Sequence, residues 1–580
     1  MAIQDQLREL IRVSLPEELR SFDILLEKPK QSSFGDWSTN FALSSFPQVK
    51  ENYRQPLLWA EALSKMILAV DQGKLLLSAE ALAPGFINFR LQKNLSLEPL
   101  QKILAHPEQL CEQFGQNRKI IIEYSSPNIA KPFTVGHFRS TIIGDCLANF
   151  YEAAGFQVFR DNHLGDWGTQ FGKQIVALKK WGDETAIAQS ENPVQELVKL
   201  YVRFHEEAEK DPSLEDEGRA WFKKLEDNDP EARRIWQLCI NWSLAEFKKI
   251  YTRLGVHFTE NPDNGYFGYG ESFFEPFLSD LIEELKASGL AKEGKEGAYL
   301  IFFPNDQYPP LMIQKKDGST LYATRDLATD RWRSQQARYE NADGSNPIIV
   351  NEVGAEQALY FQQLYAAENL LGWFQAGERV HVKHGLFRFK EGKMSTRKGN
   401  VIWLTEVLDK ALEKALTLSE SREIAEAVSI SALKWNDLRR RSDLMIHFDW
   451  DEMLNLQGNS GPYLQYSYAR TCSVLRKAKE AGLRVEKELQ GISYNEEEAA
   501  LLSLLSEFKT SLRRATEEFS PYLLCAYLYQ LAQTFNTFYN KHSILTSSAE
   551  RQFRLQLTTA VSLIMKKGLE LLGMVALEKM

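Results

Sequence analysis

The chain has 580 residues, 44% hydrophobic and 25% charged, with a formal charge of -9, the composition of an ordinary globular protein too long for one core, so about three to five domains are expected. No segment has the apolar length to span a bilayer, residues 1–20 lack the apolar stretch and small-residue cleavage site of a signal peptide, and Cys111, Cys146, Cys239, Cys472 and Cys525 form no CxxC pair; a membrane partner, a disulfide framework and a protein-bound metal are all disfavoured, and a reducing, cytoplasmic setting is expected. The acidic balance argues against indiscriminate coating of nucleic acid, yet Gly458 to Met580 holds 15 Lys+Arg against 12 Asp+Glu, +3 against -12 for the rest, which permits an RNA-facing C-terminal part.

Along the chain, periodicity predicts a helix over 4–12, a loop through Gly35-Asp36-Trp37, a helix over 57–70 and a strand over 85–91, together a small α+β module over 1–105. A polar stretch at 113–118 precedes KIIIE at 119–123, a buried strand that opens a new domain. A Ser-Ser-Pro-Asn loop, a helix over 136–154, a strand over 157–160 and the glycine-rich GDWGTQFG at 165–172 follow. Strand, loop, helix, strand is the order of a Rossmann-like parallel sheet, which binds ligands beyond the carboxyl ends of its strands. Residues 174–254 read as a helical insertion whose charged run at 211–236 is a solvated face. Strand-like runs at 299–303 and 347–350 suggest that the parallel sheet resumes after it. Beyond Asn400 the pattern is helical almost to the end, with amphipathic stretches at 406–418, 499–514 and 552–572. The expected division is 1–105, a catalytic domain at 117–400, a connecting segment at 401–457 and a helical domain at 458–580.

Two stretches carry chemistry. EGKMSTRKGN at 391–400 offers cationic and hydroxyl donors between glycines that let the backbone close on a polyphosphate. SSPNIAKPFTVGHFRS at 125–140 sets Asn128, Lys131, Gly136 and His137 at one strand-to-helix turn, where backbone N–H groups and an imidazole suit the same anion. Together they describe a site that activates a substrate with ATP.

These motifs resemble those of a class I aminoacyl-tRNA synthetase, and specifically of the arginyl family. TVGH at 134–137 stands where that class carries its HIGH signature, and KMSTR at 393–397 resembles its KMSKS loop. SSPNIAKPF, GDWGTQFG, LYATRDLATD at 321–330, GAEQALYF at 354–361, GNSGPYLQYSYAR at 458–470 and the closing GLELLG extend the likeness almost end to end. Two positions depart from the pattern: Thr134 replaces the first histidine, and Arg397 the second lysine.

The resemblance implies attack of the arginine carboxylate on the α-phosphate of ATP, with Mg2+ bridging the phosphates, and transfer of the arginyl group to the terminal ribose of tRNA(Arg). It implies ATP binding by Thr134, Gly136, His137, Lys393, Met394 and Ser395, with Gly136, His137, Lys393, Ser395 and Arg397 acting in catalysis. Glu123, Ser125, Asn128, Tyr322, Asp326 and Gln357 match arginine-pocket positions, and carboxylates suit a planar guanidinium. Phe86 and Asn88 match a strand that contacts the tRNA D-loop; alternation puts both on one face, so both are exposed or both buried. Tyr463, Tyr468 and Arg470, with Tyr466, Tyr539 and Asn540, are candidates in a C-terminal anticodon-binding bundle. A monomer that activates arginine only with its tRNA present is expected.

Overall fold

The computed structural model describes residues 3–29, 34–261, 268–294, 296–389, 402–417, 419–486, 492, 494–547 and 549–580. At the N-terminus α1 (Ile3–Ser14), α2 (Phe41–Val49) and α3 (Pro56–Asp71) pack on an antiparallel sheet of β1 (Trp37–Thr39), β2 (Leu76–Leu82) and β3 (Phe86–Leu91), with β3 in the middle. Ile87, Phe89 and Leu91 enter a core shared with Trp59, Leu63 and Ile67. Phe86 and Asn88 do not behave alike, contrary to the simple alternation argument: Phe86 is 36% exposed and Asn88 only 9%. Asn88 has a strand on either side, opposite Ser38 and Glu80, whereas Phe86 pairs only with Leu82 at the end of the sheet.

After α4 (Lys93–Ala105), the β-branched run Ile120, Ile121 and Ile122 of β4 (Lys119–Glu123) is buried on both faces, as a central parallel strand requires. α5 (Val135–Ala153) and β5 (Gln157–Asp161) follow, then five helices: α6 (Thr169–Trp181), α7 (Glu184–Gln189), α8 (Pro193–Ala208), α9 (Ser213–Glu226) and α10 (Pro230–Leu254). The last shows how locally its ends are encoded. Asp229 accepts from the N–H groups of Glu231 and Ala232, Pro230 occupies the first turn, and Gly255 ends the helix at φ 66°.

The expectation for 299–303 needs correction. β7 (Tyr299–Ile301) lies between β6 (Ala291–Glu293) and β8 (Leu311–Gln314) in a separate antiparallel sheet. One face of that sheet carries Ile301 and Ile313 against Leu281 and Leu285 of α12 (Leu278–Ala287) and Leu327 of α13 (Tyr322–Ser334), while Phe302 and Met312 face outwards. One-sided burial suits an antiparallel sheet.

β9 (Ile348–Gly354) does join the parallel sheet, and so does β10 (Arg379–His384), which sequence patterning missed because its RVHVKH run alternates charge with valine on an outer strand. The order is β10-β9-β4-β5, all parallel. Beyond residue 400 the described elements are helices but for β12 (Ile446–Phe448), which pairs in parallel with β11 (Phe387–Phe389). The C-terminal bundle comprises α18 (Gly461–Glu480), α19 (Glu496–Glu517), α20 (Pro521–Lys541) and α21 (Arg551–Leu571); α19 and α21 pack on α4 and α5, so its core is continuous with that of the parallel sheet. Among the described residues no helix is long and apolar enough to cross a membrane.

Candidate active site

The carboxyl ends of β4, β5, β9 and β10 face the start of α5. Thr134 is the N-cap, and its backbone N–H donates to His137 Nδ1 at 3.0 Å. That bond leaves the proton of a neutral imidazole on Nε2, making it a donor. Burial, then the charges of His384 and Lys131, press the His137 pKa down to about 4, so the ring is neutral at physiological pH. Gly136 is exposed at the same turn. Thr134, in place of a histidine, keeps the backbone role, and its Oγ1 lies 3.2 Å from His137 Nδ1.

Lys393, Met394, Ser395 and Arg397 fall outside the described residues. The segment that follows them does not: Leu404 N–H donates to Phe133 O at 2.9 Å, and Thr134 pairs with Trp403 in an antiparallel bridge. The chain thus leaves 391–400 hydrogen-bonded to the turn that carries His137.

Of the cation-pocket candidates, Glu123 ends β4 and is already engaged. Its Oε2 accepts from Arg333 Nη2 at 2.6 Å and its Oε1 from Asn351 Nδ2 at 3.0 Å. Burial opposes its ionisation, but the Arg333 charge prevails and holds the carboxyl at about 2. Arg333 also meets Asp161 and Asp330, and Arg379 is shared between Asp330 and Glu368. Glu123, Asp161 and Asp330 face the two guanidinium groups, while burial pushes the fourth acid, Glu368, well above the usual carboxylate range, so the region's excess charge is negative but small.

Asp326, on α13, is the less committed carboxylate. Tyr360 donates to its Oδ2, and its Oδ1 has His163 Nε2 at 4.0 Å, with the side chain 27% exposed. Burial pushes its pKa up to about 6. Tyr322, one helical turn earlier, is 66% exposed, and Gln357 is exposed in the turn after β9. Asn128 packs against Gly165, where a Cβ would come within 2.4 Å of its Oδ1. Ser125 is buried, its hydroxyl bonded to Tyr251 and Thr141.

In the C-terminal bundle, Arg470 is sandwiched between the rings of Tyr466 and Tyr539, at 4.9 and 4.8 Å, and both tyrosines are exposed. Tyr463 is half-buried and accepts from Asn536 Nδ2 at 3.0 Å. Tyr468, expected at an RNA-facing surface, is only 3% exposed: two positions after Tyr466 it turns to the inner face of α18.

A family model described as tRNA synthetases class I (R), catalytic domain, matches residues 99–450. The Arginyl tRNA synthetase N terminal domain matches 1–91 and the DALR anticodon binding domain 464–580. The arginine–tRNA ligase of Exiguobacterium sp. is 38% identical over 591 residues, covering 100% of both chains. The chain belongs to the arginyl-tRNA synthetase family. The arginine–tRNA ligase of Clostridioides difficile is 37% identical over 592 residues, covering 100% of this chain and 99% of that one. The fold is that of the arginyl-tRNA synthetases of Plasmodium falciparum, with a TM-score of 0.78, and Thermus thermophilus, with 0.77, each at 23% identity. The first covers 100% of this chain and 99% of that one, the second 99% and 100%.

Sequence reading missed three residues around the synthetase's acidic pocket. His163 Nδ1 bonds Tyr269 O at 2.9 Å while its Nε2 is buried without a hydrogen bond. Burial works against its charge, but Glu123, Asp326 and Glu271 raise its pKa. Glu271 is itself pushed by burial to about 7, and Tyr360 holds Asp326. His163 follows the end of β5, so the carboxyl-end rule for parallel strands was the signal available.

A carboxyl with a pKa of about 6 is neutral below that pH and ionised above it. The KM for a guanidinium substrate is therefore expected to rise about tenfold per pH unit below about 6 and to level off above it. Steady-state KM for arginine across this range checks the slope, and Asp326→Asn should flatten it.

Proposed function

We propose that this chain is an arginine–tRNA ligase that uses Mg2+-bound ATP to form arginyl-adenylate and transfers the arginyl group to the 3'-terminal ribose of tRNA(Arg). The observation that carries the reading is Asp326, a part-open carboxylate in a region of excess negative charge, with His163 Nε2 4.0 Å from its Oδ1. The guanidinium pairs with Asp326 and lies against Tyr322, while Glu123, saturated by Arg333 and Asn351, sets the field beneath it. Asn128 and Gln357 hold the amino acid's main-chain groups.

The arginine carboxylate attacks the α-phosphate, and pyrophosphate leaves with the bonding electron pair. The ribose hydroxyl then attacks the arginyl carbonyl, and AMP departs. His137 Nε2 donates to the phosphates, Gly136 lets them approach the backbone, and Lys393, Ser395 and Arg397 stabilise the leaving pyrophosphate, a division that depends on positioning and charge rather than on a covalent nucleophile. Mg2+ arrives on the nucleotide and bridges its phosphates.

The enzyme works as a cytoplasmic monomer in four parts: a D-loop module at 1–105 using exposed Phe86, a catalytic domain at 117–400 with its helical insertion, a connecting segment at 401–457 and an anticodon-binding domain at 458–580. There the exposed Tyr466 and Tyr539, with half-buried Arg470 between them, suit base stacking better than buried Tyr468. ATP–pyrophosphate exchange with a panel of amino acids tests the substrate, and only arginine is expected to support it. Exchange is expected only when tRNA(Arg) is present; full-rate exchange with arginine and no tRNA would contradict tRNA-dependent activation.

A further inference from the structure

His384 is the last residue of β10, at the carboxyl end of the outer strand of the parallel sheet. Its Nδ1 lies 3.0 and 3.2 Å from the two oxygens of Glu352 on β9, a carboxylate side chain with no exposed surface. The acceptor pair places a proton on Nδ1 and turns Nε2 away from Glu352; Nε2 makes no hydrogen bond among the described residues. This strand end is pinned to α5. Arg139 Nη1 donates to Gly385 O at 2.7 Å, and Ser140 Oγ to Glu352 O at 2.9 Å. Arg139 is two residues after His137, and His384 is near enough for its charge to act on His137.

The two imidazoles are shifted in opposite directions. Burial and Arg139 work against a charged His384, but Glu352 on β9 and Asp437 on α16 (Arg422–Leu438) prevail, and its pKa is raised. His137 is pressed down by burial first and by His384 second. A neutral, directional donor thus stands near a histidine whose pKa the Glu352 and Asp437 charges raise. Thr134, where a second cation would be expected, carries none.

We propose that His384, oriented by Glu352, binds a phosphate oxygen of ATP through Nε2 and supplies at the nucleotide site the positive charge that Thr134 cannot. This rests on the ligase reading above and adds to it a residue of this chain outside the two signature motifs. The bland alternative is a structural pair that ties β10 to β9.

The test is ATP–pyrophosphate exchange by the full chain at saturating arginine and tRNA(Arg), with calorimetric Mg–ATP binding in parallel. His384→Ala and the larger His384→Gln are each expected to raise KM and Kd for ATP about tenfold to a hundredfold, the range for a lost charge-assisted hydrogen bond, with KM for arginine little changed. In the wild type, KM for ATP rises as pH passes above the raised pKa of His384. Glu352→Gln keeps an acceptor for Nδ1 but removes the charge, so that rise should move to lower pH, and in both His384 variants it should vanish. Unchanged ATP affinity in His384→Gln, with or without a loss of thermal stability, overturns the proposal, and so does a rise confined to the KM for arginine. Wild-type protein that binds Mg–ATP but gives no arginine-dependent exchange would sink the ligase reading instead.

Discussion

Replacing Asp326 by asparagine is expected to lower kcat/KM for arginine by roughly 30- to 1000-fold, the equivalent of about 2–4 kcal/mol for one partner of a desolvated ion pair, while leaving the folded protein at least as stable above pH 6. The amide keeps an oxygen for the Tyr360 hydroxyl, so the internal hydrogen bond survives. What is lost is the charge opposite the guanidinium. The sign of the stability effect follows from the carboxyl's raised pKa, about 6. An acid whose pKa is higher folded than unfolded costs stability once ionised, above about pH 6 in the folded state, and asparagine removes that cost. The gain is on the order of 1–3 kcal/mol, reduced by partial exposure of the side chain. Measuring kcat/KM for arginine and a urea midpoint on the same preparation separates the two effects. Full activity would mean that the substrate cation pairs elsewhere.

Gly136→Ala is expected to reduce ATP–pyrophosphate exchange by about a hundredfold or more, because displacing reacting groups by about 1 Å can cost that much. Its fold should be unaffected or slightly more stable, by up to about 1 kcal/mol, since alanine is the better helix residue. Among the described residues an added Cβ would find only Thr134 Oγ1, at an ordinary 3.4 Å, so none of them requires glycine there. Gly144, further along α5, is the control. A Cβ at that position would fall 2.2 Å from the Tyr124 side chain, inside the core. Gly144→Ala should therefore cost folded protein and Gly136→Ala should cost chemistry. If Gly136→Ala retained exchange within threefold of the wild type, the close approach of ATP to this turn would be wrong.

The two substitutions also mark what could be read in advance. Gly136 and His137 are legible because a helix N-terminus, its capping residue and the anion it serves are all local, within a few residues of one strand end. β4, α5 and α10 are legible for the same reason: a β-branched run, a cap and a terminal glycine act over short range. The strand at 299–301 misled because an apolar run does not say which sheet it will join, and β10 was overlooked because its charged residues belong to buried pairs that only the fold assembles. Alternation ties Phe86 to Asn88 and motif position makes Tyr468 a contact candidate, but neighbouring strands and the inner face of a helix decide exposure.

By itself the sequence determined most of the elements, the helix start that carries Gly136 and His137 and, through its motifs, the family. Only the tertiary structure decided which charges remain available. Glu123 and Asp326 look equivalent in the sequence, yet Arg333, 210 residues from Glu123, neutralises the one and leaves the other part-open beside His163. Thr134 carries no charge, and the end of β10 holds His384 against a buried Glu352. The reason is physical. Hydrogen-bonded turns and helix caps are set by neighbours along the chain, whereas the protonation state of a buried group is set by charges that the packing of β4, β5, β9, β10 and α13 brings within a few ångströms of it.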